Sequence, residues 1–227
     1  FLTKKKFDVH TARYINLVNE TLNAATFSDK KFSEITPTGT KIEVTDLAGN
    51  GVYTDITRVA SRGIVNGKYG DSSFKFAEVA IYKKSENKKQ PVSPAFVGKY
   101  LETVNNLKFE GNFVINIFRD DPFDAPNAIG DKATLYSQDG IAVYGDEGAD
   151  FRKALGEEFF GNVKKIKAEN HLLNCAFSFY EGHTFVFLSY DDDVIAMPFD
   201  KPMNPEGFNS FTKDLKKVFE TLRLLGK

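Results

Sequence analysis

The stretch "FSFYEGHTFVFLSYDDDVIAM", Phe177–Met197, decides the fold. Phe177 and Phe179 alternate with Ser178 and Tyr180 before Glu181-Gly182, and Phe185 and Phe187 alternate with their neighbours after it. Period-two aromatics on both sides of a short turn containing glycine read as a β-hairpin. The second strand then runs into Asp191, Asp192 and Asp193. These three are either a metal or catalytic site carried at a strand end or the solvated turn that closes the strand. Aspartate favours turns because its short carboxylate bonds to nearby backbone N–H groups. Consecutive carboxylates on extended backbone also point different ways. The turn is the leading expectation.

The same alternation recurs outward from this hairpin. "LKFEGNFVINIF" places Phe109, Phe113, Ile115 and Ile117 on one parity, and "KATLYSQDG" is a strand entering a turn. "RGIVNGKYGDSSFKFAEVAIYKK" reads as two strands joined at Gly70-Asp71. In the second of them Phe74 and Phe76 share a parity that Val79 and Ile81 do not. That flip predicts a bulge or a change of buried face near Ala77-Glu78. "TKIEVTDL" puts Ile42 and Val44 on one side of a further strand before a turn at Gly49-Asn50-Gly51.

Helical spacing is found elsewhere. It joins Tyr14, Leu17, Val18, Leu22 and Ala25 in residues 7–25, and Phe151, Leu155, Phe159, Val163 and Ile166 in residues 149–167. Behind a cap at Asn209-Ser210 it joins Phe211, Leu215, Val218, Leu222 and Leu225. Ser93-Pro94 reads as an N-cap and first-turn proline opening a short helix with Phe96, Tyr100, Leu101 and Val104 on one side. The fold class expected is α+β, mainly antiparallel sheet built from hairpins. An N-terminal helix, a helix near 149–167 and a C-terminal amphipathic helix packed on the sheet complete it. Residues 1–227 read as a single domain, with a candidate seam in the polar loop 84–94.

Composition narrows the function. The 227 residues hold 30 Lys+Arg against 31 Asp+Glu, a formal net charge of -1, which supplies no field for nucleic acid. The one cysteine, Cys175, excludes an internal disulfide and lies in an apolar run, as a buried small hydrophobe would. No apolar run approaches the roughly 20 residues that span a bilayer. The chain opens on Phe1, which leaves room for an anchor upstream.

The phosphate loop, dinucleotide fingerprint, serine-hydrolase elbow and H-E-x-x-H zinc motif are all absent from the sequence. No cofactor is therefore expected. The three histidines, His10, His171 and His183, are far apart in sequence, His183 in the hairpin turn. The remaining candidates are acidic: Asp191, Asp192 and Asp193 with Asp120 and Asp121, since hard cations take several carboxylate oxygens. Glu78 is flanked by strand hydrophobes, and is either outward-facing or partly buried with a partner such as Arg58 or Arg62. Tyr53, Tyr69, Tyr82, Tyr180 and Tyr190 are candidates for an aromatic binding face.

The order of these pieces resembles the bacterial family known as domain of unknown function 3137. Gly67 in a strand leading to "FKFAEV", the strand "FEGNFVINI" (Phe109, Gly111, Phe113), the turn "LYSQDG" (Tyr136, Ser137, Asp139) and the hairpin "FSFYEGHTFVFL" carry the resemblance over roughly residues 39–203. It implies the soluble part of a membrane-tethered bacterial protein, and it implies no activity and no catalytic residue.

The function expected is a non-enzymatic binding or scaffold domain, in the cytoplasm or at the cytoplasmic face of the membrane. Its partner would be a protein or small-molecule ligand, met through the loops around 84–94 and 119–131. The alternative is a divalent-metal-dependent hydrolase or transferase. There Asp191, Asp192 or Asp193 with Asp120 or Asp121 would hold the ion and activate water.

Overall fold

A computed structural model of the chain describes residues 32–38, 40–84, 94–104, 111–118, 132–156, 158–169 and 172–190. Within them a nine-stranded sheet is formed by β1 (Phe32–Pro37), β2 (Ile56–Tyr69), β3 (Ser72–Lys83), β4 (Phe96–Val104), β5 (Phe113–Phe118), β6 (Ala133–Gln138), β7 (Ile141–Gly145), β8 (Leu172–Tyr180) and β9 (His183–Tyr190). The spatial order is β1-β2-β3-β4-β9-β8-β5-β7-β6, and each neighbouring pair is antiparallel. Helices α1 (Phe151–Leu155) and α2 (Glu158–Glu169) follow β7. The expected dominance of antiparallel sheet is what the described residues show, with two helices beside it. Both terminal helices expected from the sequence lie outside the described residues.

The β8–β9 hairpin explains why both faces of the sheet are covered. Tyr180 pairs with His183, so the loop is the two residues Glu181 (φ 48) and Gly182 (φ 80), as a primed turn requires. Opposed residues of an antiparallel pair share a face, and Phe177 stands opposite Val186 while Phe185 stands opposite Ser178. The two phenylalanine pairs of this hairpin thus point to opposite sides.

On the first side, Phe177, Phe179 and Cys175 join Phe113, Ile115, Ile117, Phe74 and Phe76 in one buried cluster. The helices cover it. Phe159 of α2 meets Phe177 edge-on with ring centroids 5.5 Å apart, and Phe151 of α1 is also buried there. The Asp150 side chain accepts from Lys153 N at 3.0 Å and so caps α1, which ends at Gly156. The single helix expected over 149–167 is therefore two.

On the second side, Phe185 and Phe187 join Val79, Ile81, Phe96, Tyr100 and Tyr53. Phe187 lies 5.0 Å from the Tyr53 ring, 5.5 Å from Phe96 and 5.6 Å from Tyr100. The cover here is the segment 40–55, which supplies Ile42, Leu47, Val52 and Tyr53. Burying these rings is worth about 1.5–3 kcal/mol each.

The parity flip in β3 is real. Phe74 and Phe76 belong to the first cluster, and Ala77, Val79 and Ile81 to the second. The irregularity that accompanies it sits in the partner strand, where the β2–β3 register shifts between Arg62 and Val65.

Two expectations are corrected. The segment opened by Ser93-Pro94 is not a helix but β4, whose burial is nearly continuous because it runs between β3 and β9 with both faces covered. A strand buried on two sides loses its alternation and imitates a helical stripe. "TKIEVTDL" is not a strand either, but an extended entry into a 3-10 turn at Val44–Leu47. Its backbone groups bond to side chains instead of a neighbouring strand: Ile42 N donates to Ser61 Oγ at 2.8 Å and Glu43 N to Asp46 Oδ2 at 2.8 Å.

Candidate functional site

The second side carries a cluster of polar features centred on the loop Gly49–Thr54. Asn50, 1 % exposed, holds this loop. Its Nδ2 donates to Leu47 O at 2.6 Å and Tyr53 O at 2.9 Å, and its Oδ1 accepts from Val52 N at 2.8 Å and Tyr53 N at 2.7 Å. Every polar atom of one buried amide is used to fix an irregular turn. Gly51 brings the turn down onto the sheet. It has φ +68, and a Cβ there would stand 2.8 Å from Ser178 Oγ on β8.

Between this loop, β5 and the end of β8 lies a pocket of about 230 Å3. Gly49, Gly51 and Thr54 form one wall, Asn112 and Lys132 another, and Tyr180 with Phe113 and Val114 supplies the apolar surface. Asn112 is itself held in place. Its N–H donates to Asp146 Oδ2 at 2.7 Å, its Oδ1 accepts from Glu181 N at 3.0 Å, and its carbonyl accepts from Asp146 N at 3.0 Å. Lys132 Nζ pairs with Asp146 Oδ1.

A second hollow, of about 370 Å3, lies on the same side where β1 to β4 extend past the cover, and is lined by Glu34, Lys68, Ser73, Lys75, Glu102 and Val104 among others. Charges alternate along it. Lys68 Nζ meets Glu34 Oε1 at 2.7 Å, and Lys75 Nζ lies 3.5 Å from Asp46 Oδ1 and 3.7 Å from Glu102 Oε2. His183 Nδ1 comes within 3.3 Å of Glu102 Oε1 without hydrogen-bond geometry, and its ring stacks on Phe185. Beneath them the buried Tyr100 donates its hydroxyl to Glu102 Oε2 at 3.0 Å. Burial pushes the Tyr100 phenol far above its ordinary value of 10.0, and the Glu102 charge, the hydrogen bond to it and the Asp46 charge push the same way. This hollow matches each cation with a carboxylate, which fits a solvated, self-neutralising rim.

Asp120, Asp121, Asp191, Asp192 and Asp193 all lie outside the described residues, as do His10, His171 and the loop 119–131. Among the described residues, no three His, Cys, Asp or Glu side chains converge to hold a metal ion. Glu78 is partly buried, and Lys99 Nζ lies 3.1 Å from its Oε1; the side chain of Arg62, which stands opposite Glu78 in the β2–β3 pairing, lies outside the described residues. Arg58 instead stacks on Tyr82, 3.8 Å from the ring centroid. Tyr53 and Tyr69 are core residues, and Tyr53 also borders the pocket beside the Gly49–Thr54 loop. Cys175 is buried, as its apolar run requires.

The pocket residues Asn50, Asn112 and Lys132 were not legible as a site. The one local signal was Gly49-Asn50-Gly51, read as a turn. Among the described residues no helix is long and apolar enough to cross a membrane. No family model matches the chain, and no curated protein or solved structure matches it either.

Proposed function

We propose that this chain is a non-enzymatic binding domain that takes a small molecule into the pocket between the Gly49–Thr54 loop, β5 and the end of β8. The observation that carries this is Asn50, a buried amide saturated by four hydrogen bonds that hold the loop over the sheet. A loop fixed in this way forms its pocket before any ligand arrives, so binding avoids the ordering cost of a mobile lid. A preformed hollow with a few placed polar groups is the usual shape of a small-ligand site, and its size here, below the roughly 300–1,000 Å3 of drug-sized pockets, suits a compact molecule. The resemblance to domain of unknown function 3137 supports a setting at the cytoplasmic face of a bacterial membrane, as the soluble part of a tethered protein.

The test is ligand-observed NMR with a library of small polar aromatic fragments, on the native chain and on Thr54→Trp. Thr54 is an exposed residue of the pocket wall, and an indole there fills the space. Fragments that bind the native chain and are lost from a variant with an unchanged circular dichroism spectrum support the assignment. Fragments that the variant retains, or a library without a single binder, sink it.

A further inference from the structure

We infer that this pocket selects a small carboxylate carrying an apolar or aromatic body; the inference rests on the binding role proposed above. The argument is an imbalance of donors over acceptors. Among the described residues, Lys132 is the one charged residue in the pocket wall. The carboxylate beside it, Asp146, has both oxygens engaged, Oδ1 by Lys132 and Oδ2 by the Asn112 N–H. An ammonium has three donors, and among the described residues one is used.

The Asn112 side chain is turned so that its Oδ1 takes the Glu181 N–H, and among the described residues its Nδ2 donates to nothing. The same holds for the Tyr180 hydroxyl and for the amide N–H groups of Gly49 and Gly51, two residues in the left-handed region that flank Asn50. Two acceptors nearby, Tyr53 O and the Asn50 Oδ1, bond within the loop. A carboxylate, with about four lone-pair sites, can accept from Lys132 and from several of these donors, whereas a cation would meet the Lys132 ammonium. The Tyr180 ring with Phe113 and Val114 gives the rest of the molecule an apolar seat.

The experiment is a 1H–15N NMR titration of the full chain with three probes of one shape and different charge: benzoate, benzamide and benzylammonium. Benzoate is expected to give saturable shifts in the amides of 49–54, with benzamide and benzylammonium weaker by at least about tenfold, the size of one hydrogen bond to a charged group. Asn112→Asp keeps the acceptor for the Glu181 N–H but puts a carboxylate oxygen where Nδ2 stands. It should weaken benzoate by at least about tenfold and leave benzamide nearly unchanged. Tyr180→Phe, which removes only the hydroxyl, should weaken benzoate severalfold in a chain whose fold is intact. Benzamide or benzylammonium binding in the pocket as tightly as benzoate overturns the carboxylate assignment and leaves the pocket standing. Failure of all three probes to shift 49–54 overturns both.

Discussion

The two sides of the sheet solve the same burial problem by different means. The first is closed by α1 and α2, whose Phe151 and Phe159 pack on Phe177 and its neighbours. Helical covers satisfy their own backbone groups, so that cluster needs no buried amide to hold its lid. The second is closed by the irregular segment 40–55, which cannot do this alone. It depends on Asn50, on Ser61 Oγ for Ile42 N, and on Asp46 for Glu43 N. An irregular cover leaves gaps at its margins, and the two hollows found among the described residues border this side. The stable face and the candidate functional face are thus separate faces of one sheet, as expected where rigid elements present a loop-built site.

The comparison breaks most readily at the aromatic centres. Phe177→Ala on the helix-covered side and Phe187→Ala on the loop-covered side should each cost about 3–5 kcal/mol in chemical denaturation, since both rings are buried and their neighbours cannot collapse into the space. A cost below about 1 kcal/mol at Phe187 would mean that the 40–55 segment is not a true core cover. Asn50→Ala sharpens the contrast at a smaller scale. It removes the four side-chain hydrogen bonds to Leu47 O, Tyr53 O, Val52 N and Tyr53 N, and should cost about 2–3 kcal/mol. Hydrogen exchange should rise in 47–54 while α1 and α2 stay protected. Equal loss of protection on both sides would show that the two covers are one cooperative unit.

What the sequence displayed depends on the same contrast. The hairpin at Phe177–Leu188 was legible because each strand alternates and its turn residues demand positive φ. The face change in β3 was visible too, since Phe74 and Phe76 against Val79 and Ile81 is a parity statement. β4 was misread because a strand buried on two faces carries no alternation. The 3-10 turn at Val44–Leu47 was misread because Ile42 and Val44 imitate a strand, and the bond from Ile42 N to Ser61 Oγ cannot be seen in spacing. Asn112 and Asp146 form part of the candidate site only because β5 and β7 pair, a long-range fact that no local pattern encodes.

The smallest effect concerns the charged end of the loop-covered side. Tyr100 is buried against Glu102, with Asp46, Lys75 and His183 around that carboxylate, and its phenol is raised well above 10.0 in the folded chain. A group whose folded pKa is raised adds stability that is complete below its unfolded pKa and is lost as pH climbs above it. The loss therefore begins near pH 10, where the unfolded chain releases the proton and the folded one keeps it, and its slope is about 1.4 kcal/mol per pH unit for one group. Tyr100→Phe removes this contribution. At neutral pH it should cost about 1.5–3 kcal/mol, the worth of a hydrogen bond to a charged acceptor. Between pH 10 and 11.5 or so the native and variant stabilities should converge with that slope difference, since all other tyrosines and lysines titrate alike in both chains. Urea titrations at a series of alkaline pH values measure it directly. Parallel curves would mean that Tyr100 ionises in the folded chain, and that this end of the sheet is wetter than its packing on Phe185 and Phe187 describes.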